Sequence, residues 1–166
     1  QKLFEEIIND DAFNLQFSVG ETKTVVHPDH KGKKSDSWKA TLEMAKDINK
    51  GGSDVAFLAE NDNEGGADAI TKMFGEYKIV EFKHSDSTSW STVMHLLLKG
   101  FKQGENIALK IENMGYSELC EAIDYLIRNK HKVGNLKLIN KNGKTKDIYA
   151  KDIKSGKYKQ KIRGFL

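Results

Sequence analysis

Apolar positions along the chain follow two different periods. Trp38, Leu42, Ala45 and Ile48 recur at helical spacing, as do Trp90, Val93, Met94, Leu97 and Phe101, and later Leu119, Ile123 and Leu126. Side chains three or four residues apart share one face of a helix, so each set predicts an amphipathic helix. Ser35 or Asp36 stands where it can cap the first of these, and Gly51-Gly52 ends it. Shorter apolar runs at 54–59, 68–74, 77–83 and Asn106–Ile111 have the length and flanking turns of strands. Polar, glycine-containing turns are expected at 61–66 and at Gly75-Glu76, and a hydroxyl-rich loop at 85–89.

Upstream, the pattern predicts a short helix over 5–13, two strands at 15–19 and 23–27 around Gly20-Glu21, and a loop at 27–32 with the only proline, Pro28. Downstream it predicts a helix over 116–129, a strand at 136–139 and a turn at Asn142-Gly143. Beyond that turn the alternation is too weak to assign elements. From 36 to 111 the order is helix, strand, strand, strand, helix, strand. The expected fold is therefore α/β, a mixed central sheet flanked by helices. It is expected as one domain over 1–166, with its core at 36–111, an N-terminal extension at 1–35 and a basic segment at 130–166.

Composition narrows the class. Hydrophobic residues make up 38% and charged residues 31% of 166, enough for a packed core and unlike a disordered chain. No apolar run is long enough to cross a bilayer, and the acidic amphipathic start is not a signal peptide. The chain begins without Met, and it is read as the C-terminal piece of a longer protein. The single cysteine, Cys120, excludes an internal disulfide and a thiolate zinc site; among Leu119, Ile123 and Leu126 it reads as a small packing residue. The net charge is only +3, but lysines crowd the stretch from 130 to 163 against Asp147 and Asp152 alone. That stretch suits phosphate contact or a solvated tail equally well.

The candidate chemistry lies in two adjacent strands. Asp68 opens one, and Glu81 and Lys83 close the next. Residues two apart in a strand share a face, so Glu81 and Lys83 point one way and Val80 and Phe82 the other. Pairing as a hairpin around Gly75 would bring Asp68 opposite the Glu81–Lys83 end. Two carboxylates and an ammonium would then share a polar pocket on an apolar sheet. Hard oxygen ligands of this kind suit Mg2+ or Mn2+, and a neighbouring lysine can orient water or offset charge on a phosphorane.

Asp68, twelve intervening residues, then Glu81-x-Lys83 resembles the signature of PD-(D/E)xK phosphodiesterases, and the element order resembles their αβββαβ core. Ala67 stands where the signature has proline. The resemblance implies metal binding by Asp68 and Glu81, and water activation or phosphate stabilisation by Lys83. A nearer resemblance is to the tRNase toxin domains at the C-termini of contact-dependent growth-inhibition proteins (the CdiA family), and to related domains of phage and mobile elements. It rests on Asp54-Val55-Ala56-Phe57-Leu58-Ala59-Glu60, Ala67-Asp68-Ala69-Ile70, Val80-Glu81-Phe82-Lys83, a Ser/Thr loop, a helix ending Lys102-Gln103-Gly104, and the strand Asn106–Ile111. It covers 38–111. It implies that Glu60 is a fourth acidic member and that Lys99 and Gln103 face the site. It also implies RNA, tRNA in particular, ahead of DNA as substrate. Finally, it implies an effector delivered into the cytoplasm of a rival cell and held off at home by an immunity protein.

Other residues have competing readings. Ser87, Thr88 and Ser89 are first a helix cap, and Ser87 and Thr88 also suit the scissile phosphate. His27, Asp29 and His30 read as a solvated turn, ahead of an RNA-phosphate contact or a zinc site. His95 reads as a packed or surface residue. Tyr149 and Tyr158, interleaved with lysines, suit stacking on unpaired bases. Three rivals stand beside the metal-dependent nuclease: a metal-independent ribonuclease of barnase-like or colicin-like type using His27, His84 and Thr88, a non-catalytic nucleic-acid-binding or phage structural domain, and a restriction-like DNase that shares the site and differs only in substrate.

Overall fold

In a computed structural model, which describes residues 2–60 and 68–166, the chain divides into two compact units, Gln1–Phe82 and Lys83–Leu166. The turn expected at 61–66, and Ala67, lie outside the described residues.

The first unit holds α1 (Lys2–Ile8), β1 (Asn14–Val19), β2 (Thr22–Val26), a 3-10 turn (Pro28–His30), α2 (Asp36–Lys50), β3 (Val55–Phe57), β4 (Asp68–Met73) and the greater part of β5 (Glu76–Ser85). β1 pairs with β2 antiparallel, β2 with β3 parallel, and β3–β4 and β4–β5 antiparallel, a mixed sheet. The parallel step needs a crossover, and α2 supplies it. α2 begins at Ser35, whose hydroxyl accepts the N–H of Trp38, and stops at Gly51, as the sequence predicts. Its Trp38 packs edge-on against Phe57, which packs in turn against Phe82. The opposite face carries Val25, Ala56 and Ile70, and there Phe4 of α1 is buried and stacks on Tyr77. With both faces covered, three-residue β3 is fully buried, and each large side chain so buried contributes about 1.5–3 kcal/mol.

Two local features fix the β4–β5 register and the end of α2. Phe74 (φ 54°) and Gly75 (φ 78°) both lie in the left-handed region, the pair of conformations a two-residue type I′ hairpin turn requires. The turn is therefore Phe74-Gly75 rather than Gly75-Glu76, with Met73 opposite Glu76. Asn49 is buried and ties β2 to the end of α2: its Oδ1 accepts the Thr24 hydroxyl (2.7 Å), while its Nδ2 donates to the carbonyls of Lys23 and Ser53. α1 stops at Ile8, short of the expected Phe13. Asn9 turns its side chain back to the Glu5 carbonyl and Asp10 accepts the Ala12 N–H, local bonds that compete with a further helical turn.

The second unit starts within β5 and continues with α3 (Trp90–Gln103), β6 (Asn106–Ile111), α4 (Tyr116–Arg128), β7 (Asn135–Ile139), β8 (Thr145–Ile148), α5 (Ala150–Ser155) and α6 (Tyr158–Ile162). β6 and β7 are parallel, joined by α4; β7 and β8 form a hairpin turning through Asn142-Gly143. Val93, Leu97 and Phe101 of α3, Leu119, Ile123 and Leu126 of α4, and the alternate residues of β6 make one core. Cys120 lies buried in it, its thiol pKa pushed up by desolvation, as the packing reading expects.

The C-terminal segment differs from its sequence reading. β8, α5 and α6 are ordered elements that close the core, and Tyr158, which the sequence suits to stacking on bases, is fully buried. Its hydroxyl donates to Asp124 (2.6 Å) and to the Cys120 carbonyl (3.2 Å). Only Tyr149 is exposed, with the Lys151 ammonium 5.1 Å from its ring centre. Several lysines of the basic stretch are engaged within the protein: Lys137 with Asp147 (2.7 Å), Lys159 with Asp124 (2.8 Å) and Lys161 with Asp152 (2.9 Å). No helix among the described residues is long and apolar enough to cross a membrane.

Candidate functional site

The type I′ turn and the β4–β5 register decide where the candidate acids fall. In the sixth residue pair from the turn, Asp68 stands directly across from Glu81. Directly opposed residues in an antiparallel pair hold their Cβ atoms about 4.5–5.5 Å apart on one face. That face also carries Ala56 and Ile70 and is covered farther along by α1. Glu81 is 7% exposed and Asp68 is half-buried. Two carboxylates so placed repel one another, which favours a cation, a proton or hydrogen-bond donors in their neighbourhood.

Lys83 follows Glu81 by two residues on the continuous strand β5, the spacing that puts side chains on the same side. It is 6% exposed. α3 crosses Lys83 at Gly100, where a methyl group would meet Ile107 Cδ1 at 2.5 Å and Lys83 Cε at 3.7 Å. The missing side chain lets the helix lie against the aliphatic stem of Lys83. Lys99 and Gln103, the residue before Gly100 and the one a turn after it, are both exposed on α3.

The hydroxyl-rich loop does not cap α3 as expected. Ser89 occupies the N-cap position without a side-chain hydrogen bond to the helix. Instead, Ser85 Oγ accepts the N–H of Ser87, and Ser87 Oγ accepts that of Ser89, so each hydroxyl holds the loop two residues on. Thr88 is exposed between them.

Glu60 follows the end of β3 in an arrangement that the sequence reading missed. Its carboxylate accepts a bond from Lys33 Nζ at 2.9 Å, and its backbone N–H donates to Asp29 (3.2 Å). The Lys33 bond holds the Glu60 carboxyl below its ordinary pKa. Lys33 also donates to His30 Nδ1 (2.9 Å), and His30 Nε2 lies 2.6 Å from the Leu58 carbonyl. An ammonium only donates and a carbonyl only accepts, so the imidazole is the neutral Nε2–H tautomer. His30 is 5% exposed and stacks on Trp38 with ring centres 4.8 Å apart. Burial, helped by the adjacent ammonium, lowers its pKa. The solvated turn expected here is therefore a buried polar anchor, because Trp38 and Phe57 enclose the ring. His27 accepts the Asp29 N–H at its own Nδ1 (3.1 Å) and remains part-exposed. The cluster is tied through the backbone to the strand end that carries Asp68: the N–H of Leu58, whose carbonyl His30 binds, donates to the Asp68 carbonyl. In the sequence its one trace is the spacing His30-x-x-Lys33 after a proline turn, which periodicity does not register.

Among the described residues, no group of three or more His, Cys, Asp or Glu side chains converges to hold a metal ion. Among the described residues the acidic pair Asp68–Glu81 is the candidate set, and Mg2+ suits such a pair, because it is bound by one or two carboxylates and keeps several waters.

No family model matches the chain, and no curated protein matches it. Among solved structures it is similar to a CdiA-CT/CdiI toxin and immunity complex from Burkholderia pseudomallei, at 11% identity over 71% of this chain and 91% of that chain, with a TM-score of 0.48. That likeness assigns no residue of this chain a role.

Proposed function

We propose that this chain is a metal-dependent nuclease domain whose centre is Asp68, Glu81 and Lys83. The observation that carries the reading is the β4–β5 register, which sets Asp68 directly opposite Glu81, with Lys83 two residues beyond on the same strand. In this reading Asp68 and Glu81 hold a divalent cation, Mg2+ or Mn2+, which when bound supplies Lewis-acid neutralisation of phosphate charge. Lys83, its stem fixed beneath α3 at Gly100, donates to a non-bridging oxygen or orients the attacking water. A buried ammonium does this better than an exposed one, because lower local dielectric strengthens the interaction with developing negative charge. Ser87 and Thr88 offer hydroxyls to the scissile phosphate, while Lys99 and Gln103 contact the substrate from α3. Glu60 acts through Lys33.

The proposed substrate is nucleic acid, tRNA ahead of DNA. The proposed setting is a toxin effector that reaches the cytoplasm of a target cell and is neutralised by a cognate immunity protein. The sequence resemblance over 38–111 supports both. The test is cleavage of total tRNA and of plasmid DNA with Mg2+ or Mn2+ and with EDTA, by the wild type, Glu81→Ala and Lys83→Ala. The expected result is metal-dependent cleavage reduced at least a hundredfold in each variant, within the range seen when one transition-state donor is lost. Cleavage that survives EDTA and both substitutions would sink the reading and return attention to His27, His84 and Thr88.

A further inference from the structure

The geometry points to Lys33 as a second phosphate-binding residue, aimed by His30, which takes a backbone phosphate of a bound polynucleotide other than the one that is cut. The inference rests on the nuclease reading above for the identity of the polyanion, and on the His30–Lys33–Glu60 chain for the site.

A plain ion pair between Lys33 and Glu60 would gain the chain little. Glu60 is 59% exposed at its side chain, and an exposed Lys–Glu pair contributes about 0–1 kcal/mol. Burying an imidazole is costly unless its polar atoms are bonded. Stacking on Trp38 and packing near Phe57 would be served as well by an apolar ring. Here both ring nitrogens are used, Nε2 to lock the ring onto the Leu58 carbonyl and Nδ1 to grip the Lys33 ammonium. The result is a cation with a fixed direction, 29% exposed, lying 5.3 Å from the Trp38 ring centre. An ammonium has three N–H donors. Among the described residues, His30 and Glu60 account for two of them, and Glu60 is an exposed carboxylate that a phosphate oxygen can replace at little cost. Glu60 thus occupies the place of the anion when no polynucleotide is bound.

Position ties this cation to the proposed centre. His30 is bonded to Leu58, and Leu58 is bonded to Asp68, so the anchor is keyed to the strand end that carries the acidic pair. His30 lies on the Trp38 side of the sheet, whereas Asp68 and Glu81 share the face of Ala56 and Ile70. Lys33 is accordingly assigned to a phosphate other than the scissile one. His30 is a positioning residue.

The test is binding of fluorescently labelled total tRNA to the full chain in EDTA, by anisotropy, across a salt series. Lys33→Gln is expected to weaken binding about tenfold and to lower the slope of log K against log salt by about 0.7–0.9, the share of one phosphate contact. Lys33→Arg should keep the slope, Glu60→Gln should bind at least as tightly as wild type, and His30→Gln, which retains a donor for Leu58, should fall between. Thermal melts of each variant identify any loss due to unfolding. Wild-type affinity and slope in Lys33→Gln would overturn the assignment, as would weaker binding in Glu60→Gln or a wild-type chain that binds no tRNA. If binding depends on Lys33 but no metal supports cleavage, the phosphate site stands and the nuclease reading falls. If the chain cleaves and Lys33→Gln changes neither binding nor slope, the reverse holds.

Discussion

Gly134→Ala is expected to destabilise the second unit more than any composition argument suggests. Gly134 sits between α4 and β7 with no left-handed φ to protect, so the constraint is purely one of space. A Cβ built on it would lie 2.0 Å from the Glu105 carbonyl oxygen, 2.8 Å from the carbonyl carbon and 3.2 Å from Cα. All three are backbone atoms, and they cannot turn aside as a side chain would. The Glu105 carbonyl also accepts the Asn135 N–H at 2.8 Å, at the start of the β6–β7 ladder. The Asn135 side chain in turn donates to Asn106 (3.0 Å) and accepts the Ala150 N–H (2.9 Å) at the first residue of α5. Relief of the clash must open this junction. Overpacking costs about 1–3 kcal/mol, and one lost backbone hydrogen bond adds about 1, for a total of about 2–4. In a chain of this size that lowers Tm by about 4–16 °C. Gly104→Ala is the control: nothing lies within 4 Å of its Cβ position and its φ of −160° is open to any residue, so it should shift stability by less than about 0.5 kcal/mol. Urea denaturation followed by circular dichroism measures both. A Gly134→Ala protein within about 0.5 kcal/mol of wild type would refute the steric argument.

Two further outcomes follow from buried polar groups in the first unit. Asn49→Ala leaves the Thr24 hydroxyl and two carbonyls without their partner, and should cost about 2–4 kcal/mol in the same denaturation assay. Because burial lowers the pKa of His30, the unfolded chain takes up a proton first as pH falls through about 6.5. Stability that is complete above that pH is therefore lost as pH falls toward the folded-state value. His30→Gln should flatten this part of the stability–pH curve, and an unchanged slope between pH 7 and 5 in that variant would remove His30 from the explanation.

Much of the architecture is legible in one dimension, for physical reasons. Helical stripes and short apolar runs report which face each element buries, so α2, α3, α4 and the strands β4 to β7 fall where periodicity places them. The opposition of Asp68 and Glu81 is nearly legible too, since a hairpin with a short turn leaves few registers, and the Phe74-Gly75 turn selects one. Three things were decided only by tertiary structure. The 3-10 turn gave no periodic signal, yet Trp38 and Phe57 bury His30 and convert a polar turn into an anchor for Lys33. Tyr158 carries lysines as sequence neighbours but is drawn into the core by Asp124 and Cys120, partners more than thirty residues away. The weakly patterned C-terminal segment folds because β7, α4 and Cys120 already present a surface for it to close. Local pattern determines which face is apolar; what a polar residue bonds to depends on groups brought together from distant parts of the chain, and that only the folded structure decides.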